Sequence, residues 1–306
     1  IEDILALTPL QEGMLYHFLE DRRSARYVEQ LSLGISGSVD GGYFEQAWNF
    51  VIASNEMLRA VFRWEKIKNP IQVILKKHNI KIKFCDISGS ENNAEERLLK
   101  LAAIKQQDRQ DKFDLREVPF RVTLCRIGKK QYEMILSSHH ILYDGWSNGI
   151  ILKEFFIAYK NLAQGKKQVK PEKNKFKEFV NWVEIRDRKK QEEFWREYLA
   201  GFGQLVEFSI KTPGRTEIDD AGNIKKELGQ DFVIKLERFV RDNKVTPAAL
   251  FYSVWGILLQ KYNNVDGVIF GTTVSGRSAK IKGIDNIVGL FINTLPLKMQ
   301  TGSSER

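Results

Sequence analysis

Cysteine is nearly absent from this chain. Its 306 residues include two, Cys85 and Cys125. Neither belongs to a CxxC pair or to a zinc-ligand spacing, so neither a disulfide framework nor a structural zinc site organises the fold. Both sit in strand-like apolar stretches, IKIKFCDI and FRVTLCRI, and read as reduced core thiols of a cytoplasmic protein. Histidine is also scarce, at four residues, and no HExxH helix or third ligand at metal spacing accompanies them, so no bound metal is expected. A GxSxG nucleophile elbow is missing. No apolar run approaches the length needed to span a bilayer. The first residues, IEDILALTPLQ, carry acids and no basic stretch, so no secretory leader is legible. Without an initiator Met, the start reads as the interior of a larger polypeptide.

Hydrophobic residues make up 42% and charged residues 28%, an ordinary globular balance. The length suits two domains. The net charge of +9 raises nucleic acid as a partner, but the lysines are scattered and often matched by glutamates, as in KKQEEFWREY. No aromatic-and-basic stacking pattern supports nucleic-acid binding, and an acidic protein partner accounts for the charge equally well. The one basic cluster, GKKQVKPEKNKFK at 165–177, reads as a solvated linker.

Periodicity outlines a mixed α and β chain. Thr8, Pro9 and Gln11 form a capping-box start for a helix running to about Glu20. QLSLGIS (30–36) alternates as a strand, and YFEQAWNFVIAS (43–54) has helical spacing. LRAVFRWE (58–65) reads as a strand with Leu58, Ala60, Phe62 and Trp64 on one face. Strands are expected in NPIQVILKK and IKIKFCDIS, and a charged helix over 92–110. A hairpin turning at Gly128-Lys129-Lys130 follows, then a helix capped by Ser147 and ending near Leu162. Beyond a break at 163–175 come a long helix (176–200) and a loop containing TPGRTEIDDAGN. A helix over 229–243, another starting at Thr246-Pro247, and strands in GVIFGTTVS and INTLPLKMQ complete the chain.

One stretch carries chemistry: SSHHILYDGWS, residues 137–147. Neighbours on a strand point to opposite faces. His139 and His140 therefore cannot share a cavity; one packs inward and the other projects. Asp144 and Gly145 follow on a turn, where Gly145 lets the backbone bend sharply. Asp144 is near enough in sequence to orient an imidazole or to tie the turn to a cation elsewhere. Acid–base chemistry at an imidazole and a purely structural histidine pair both remain open on this pattern alone.

HHILYDG matches HHxxxDG, and with WS after it the segment resembles the signature of condensation domains of nonribosomal peptide synthetases, in the chloramphenicol acetyltransferase-like superfamily. Further stretches resemble that family's motifs in the same order: LTPLQEGMLYH (7–17), NEMLRAVFRWE (55–65), FKEFVNWVEIRDRKKQEEFWREYLAG (176–201), VIFGTTVSGR (268–277) and GIDNIVGLFINTLPLK (283–298). The resemblance covers essentially the whole chain. It implies an α/β fold of two chloramphenicol-acetyltransferase-like subdomains in a V shape around a central tunnel. The subdomains would be 1–165 and 176–306, joined by a linker at 166–175, with the second incomplete because the chain stops at TGSSER.

The implied activity is amide bond formation between an upstream carrier-bound acyl or peptidyl thioester and the amine of a downstream carrier-bound aminoacyl thioester. Residue by residue, the resemblance makes His140 the functional histidine and His139 a structural one. Asp144 would keep the site's shape through an ion pair, and Gly145 would lie beside the reacting centre. Arg277, or else Arg59, would be the cation for Asp144, and Trp146 and Ser147 would support the turn. No cofactor is expected to be bound; phosphopantetheine arms of peptidyl carrier proteins would bring both substrates, with an adenylation domain as neighbour. RWEKIKNPIQVILKK and LTPLQEGMLYH resemble the subtype whose donor ends in a D-residue. The chain departs from the second motif at Ser54, Asn55 and Ala60, where arginine, histidine and threonine are usual. The alternatives are an inactive carrier-binding platform, an epimerization domain, for which no paired glutamate is found, and an acyltransferase using coenzyme A.

Overall fold

A computed structural model of the chain describes residues 1–21, 26–89, 94–202 and 225–301. The fold is mixed α/β, in two compact units: Ile1–Arg186 with Ser275–Asn293, and Asp187–Val274 with Thr294–Arg306. In chain order the first unit carries β1 (Asp3–Ala6), α1 (Pro9–Glu20), β2 (Val28–Ser36), α2 (Gly41–Ser54), β3 (Ala60–Arg63) and β4 (Ile71–Ile74). It continues with β5 (Lys83–Asp86), α3 (Ala94–Gln110), β6 (Phe120–Gly128), β7 (Gln131–His139), α4 (Gly145–Ala163) and α5 (Phe176–Glu184). The second unit contains α6 (Arg188–Tyr198), α7 (Gln230–Asp242), α8 (Pro247–Asn263) and the paired strands β8 (Gly267–Val274) and β9 (Asn293–Gln300).

The first unit is built on a four-stranded sheet of order β2-β7-β6-β5, antiparallel except for the parallel β5–β6 pair. Alternation sorts its side chains. Val122, Leu124, Met134 and Leu136 join the main core with Trp48 of α2 and Phe155 of α4, whose rings stack at 4.6 Å. Cys125 and Ile135, one residue out of phase, pack with Leu101 of α3 in a second cluster. Cys85 lies in register with Cys125 on the neighbouring strand. Burial, and then Cys85 beside it, push the Cys125 thiol up to about 12, so it stays protonated. A smaller sheet, β1-β4-β3, closes one flank.

The capping box on α1 forms as its residues require: Gln11 N donates to Thr8 Oγ1 at 3.4 Å and Thr8 N donates to Gln11 Oε1 at 3.0 Å. Other expectations need correction. Leu58 and Arg59 are not on a strand; Glu56–Arg59 is a 3-10 turn and the strand starts at Ala60. That turn buries Arg59, which a regular strand would have turned outward. The single helix expected over 176–200 is two. It breaks at Ile185–Asp187, where the Asp187 carboxylate accepts from the N–H groups of Lys189 and Lys190 and opens α6. The loop expected over 212–223 lies outside the described residues, as do positions 92–93 of the helix expected over 92–110 and positions 302–306 of the closing TGSSER.

The basic stretch at 165–177 is largely exposed up to Glu172, as expected, but its later lysines are paired rather than free. Lys173 Nζ reaches Glu154 at 2.5 Å and Asn55 at 2.6 Å, Lys175 reaches Glu2 at 2.8 Å, and Lys177 reaches Asp3 at 2.8 Å. These pairs tie the irregular segment to α2, α4 and β1, so the chain leaves the first unit after Arg186, not at 166–175. No helix among the described residues is long and apolar enough to cross a membrane.

Candidate active site

β7 carries SSH to its end, and the sheet ladder runs one residue further, because His140 N donates to Tyr27 O at 2.8 Å. Pleating therefore still governs both histidines. His139 is 2% exposed, its ring meeting Phe18 and Tyr27 edge-on and tilted. Its Nδ1 accepts from Ile141 N at 3.2 Å, which puts the proton on Nε2, an atom with no partner. Burial, and secondarily the charge on His140, push its pKa down to about 3. A permanently neutral imidazole serves packing.

His140 is the other kind. Its side chain is 17% exposed, and Nδ1 lies 2.8 Å from the carbonyl oxygen of Tyr143. A carbonyl only accepts, so Nδ1 carries a proton, and in the neutral ring Nε2 then presents a lone pair. The Tyr143 backbone that does this is fixed from below: its ring is buried, and Ser138 Oγ lies 3.0 Å from its hydroxyl. Opposite Nε2, at 3.5 Å, stands Oε1 of Glu29. Glu29 pairs in register with Ser138 across β2 and β7, so Glu29, Ser138 and His140 share one face of the sheet. Sequence reasoning passed Glu29 over because its position depends on which residues β2 and β7 bring opposite each other.

Asp144 does not reach an imidazole. It is the N-cap of α4, accepting from Ser147 N at 3.2 Å; the expected cap, Ser147, is instead a capped residue inside the first turn. Its remaining capacity is taken by Arg277 Nη2 at 3.1 Å and Phe291 N at 3.0 Å. Acid and base here are 1% and 4% exposed. Arg277 Nη1 also donates to the carbonyls of Ile284 and Ile287, and its guanidinium lies 4.2 Å from the Phe291 ring centre. Arg277, not Arg59, is thus the partner of Asp144. Arg59 pairs with Glu2 at 2.7 Å and donates to the carbonyls of Ile52 and Leu75. It holds β1 and β4 together away from this cluster.

The segment 275–293 is sewn to the start of α4. Asp144 N donates to Gly289 O at 3.1 Å, Gly289 N donates to Ser147 Oγ at 3.2 Å, and Trp146 Nε1 donates to Asp285 O at 3.1 Å. Close approach demands glycine at 289, where a Cβ would fall 2.2 Å from the Phe176 ring. Gly145 is different from expectation. It lies in the first turn of α4 without a positive φ, and a Cβ there would meet nothing within 4 Å. The sharp turn does not need it; its bareness leaves the helix N-terminus uncovered beside the exposed Trp146. Of the predicted residues the structure brings together His140, Asp144, Gly145, Trp146, Ser147 and Arg277. Gly289 and Phe291 were missed as members, although both lie in a motif-like stretch, because the bonds they make to Asp144 and Ser147 run through backbone N–H and C=O groups, which residue type does not advertise.

The model of the condensation-domain family matches residues 1–306. The chain is 36% identical over 305 residues to surfactin synthase subunit 2 of Bacillus subtilis (strain 168), covering 98% of this chain and 8% of that protein. It is 34% identical over 310 residues to tyrocidine synthase 2 of Brevibacillus parabrevis, again spanning 8% of the relative. Among solved structures, the first condensation domain of the calcium-dependent antibiotic synthetase, in complex with a substrate analogue, superposes with a TM-score of 0.78 at 18% identity, over 99% of this chain and 71% of that one. The X-domain seen in complex with OxyB from teicoplanin biosynthesis gives 0.79 at 19% identity, over 98% and 66%. These two likenesses show a shared fold.

Proposed function

The chain belongs to the condensation-domain family, and from that premise we propose that it joins a carrier-bound acyl or peptidyl thioester to the amine of a carrier-bound aminoacyl thioester. The observation that carries this reading is the 2.8 Å contact of His140 Nδ1 with the Tyr143 carbonyl, which in the neutral ring leaves Nε2 with a free lone pair. The carboxylate of the motif, Asp144, is committed to Arg277 and Phe291. That commitment supports a structural role for it.

The chemistry asks little of the protein beyond alignment. A thioester is already activated, and holding two reactants in line removes up to about 7–11 kcal/mol of barrier. The amine nitrogen attacks the thioester carbonyl. The tetrahedral adduct collapses, the thiolate of one phosphopantetheine arm leaves, and it takes up a proton as free thiol while the amide forms on the other arm. His140 Nε2 accepts a proton from the attacking nitrogen. The N–H groups of Gly145 and Trp146, at a helix N-terminus without intrahelical acceptors, suit the developing oxyanion. The donor is expected to end in a D-residue, tested by loading the upstream carrier with D- and L-ended peptides in turn.

The test is condensation between two loaded carrier proteins, read as amide product. His140→Ala should lower the rate about 10²–10⁴-fold if His140 acts as a base. A loss under about tenfold assigns it positioning alone. A wild-type chain that binds both carriers and forms no amide overturns the reading in favour of a binding platform.

A further inference from the structure

The Glu29 carboxylate has no place in the reaction as described, yet its Oε1 lies 3.5 Å from His140 Nε2, the reactive atom. With Nδ1 bonded to the Tyr143 carbonyl, neutral His140 presents only a lone pair there. A carboxylate oxygen also presents only lone pairs. An imidazolium would donate to Glu29 directly, whereas the neutral ring and the carboxylate are both acceptors that a group carrying two N–H hydrogens can bridge.

We propose that Glu29 and His140 together form the cradle for the ammonium group of the acceptor substrate, with Glu29 as the residue that selects an amine. This rests on the proposed condensation. Glu29 is placed for it: it is 41% exposed and stands on the same sheet face as His140 through the Glu29↔Ser138 register. An ammonium donates one N–H to Glu29 Oε1 and another to His140 Nε2. Nε2 takes that second proton, leaving a neutral amine to attack and an imidazolium paired with Glu29. After attack, the next proton lost from nitrogen goes to the departing thiolate, and the imidazolium returns its proton to water. A neutral 2-hydroxyacyl acceptor brings one O–H and no charge, and gains nothing from the carboxylate.

The experiment compares wild type, Glu29→Ala and Glu29→Gln in condensation between loaded carriers. A charged hydrogen bond at a partly exposed site corresponds to roughly 10- to 100-fold in affinity. KM for the aminoacyl carrier should rise by that factor in Glu29→Ala, with kcat within a few-fold and Glu29→Gln intermediate. The inhibition constant of the same carrier bearing the 2-hydroxyacyl group should not move. An aminoacyl KM within twofold of wild type, or both acceptors weakening together, overturns the inference and leaves the condensation reading standing. If wild type makes no amide, imidazole nitrogen NMR of His140 decides instead, with a non-hydrolysable aminoacyl pantetheine amide as probe. The inference expects a His140 response to that probe, at least tenfold weaker in Glu29→Ala and absent with the hydroxyl analogue. No response, or an equal one in both proteins, overturns it.

Discussion

His139 stays neutral because burial lowers its pKa to about 3, against 6.5 for the free side chain. The sign of its linkage follows. Between those values the unfolded chain binds a proton that the folded chain refuses, so stability falls as pH drops below about 6.5 and the loss levels off near 3. The slope is about 1.4 kcal/mol per pH unit, or roughly 2 kcal/mol between pH 6.5 and 5. Glu56 works the other way: burial raises its carboxyl, so part of its penalty is relieved on acidification. A comparison that changes His139 alone separates the two. His139→Asn should flatten the pH dependence of urea midpoints between pH 7 and 5 by that amount. Parallel curves for the two proteins would rule the assignment out. His140, one residue on, has a wholly different setting, and only strand pleating separates them.

At the scale of elements, the start of α4 and the segment 275–293 form one structure held by a buried ion pair. Removing one partner of such a pair leaves an uncompensated charge and typically costs about 3–5 kcal/mol. Arg277→Ala should destabilise by that order in urea unfolding. Combining it with Asp144→Asn should cost much less than the sum of the two single losses, since the second change removes the stranded charge. Arg277→Lys should rescue only partly, because four hydrogen bonds leave two nitrogens of a planar fork that a single ammonium cannot copy. Strict additivity in the double variant would mean that the two residues do not act through each other. In the strap at 166–177 the more exposed pairs, Lys175–Glu2 and Lys177–Asp3, each contribute little alone, while Lys173–Glu154 is mostly buried.

At the scale of the whole molecule, the first compact unit is discontinuous in sequence. Ala279, Ile284, Ile287, Val288, Leu290 and Phe291 belong to the same core cluster as Trp48 and Phe155, although more than a hundred residues separate them from those side chains. A fragment of residues 1–186 therefore lacks both part of its core and the cation for Asp144. It should bind hydrophobic dye and lose the cooperative unfolding transition that the full chain shows. A sharp transition in the fragment would mean that 275–293 is an accessory. The surfaces of α7 and α8 carry exposed Phe232, Phe239, Phe251 and Trp255. On the same helices Val240 and Leu259 are buried, and Gly256 approaches Phe270 of β8 and Met299 of β9.

What the sequence by itself determined is local: the capping box at Thr8, the helical stripes, the strand alternation that parts His139 from His140, and the motif string that points to Asp144 and Arg277. Each depends on residues close together in the chain, or on a pattern dense enough to resemble a family. Tertiary structure decided the rest. It set the cap at Asp144 rather than Ser147, because the same carboxylate also had to receive Arg277 and Phe291. It broke the 176–200 helix at Asp187, buried Arg59, and bound the basic stretch to three elements of the first unit. It also placed Glu29 before His140. That placement depends on the register between β2 and β7, which hydrogen bonds between distant segments set and no short stretch of sequence records.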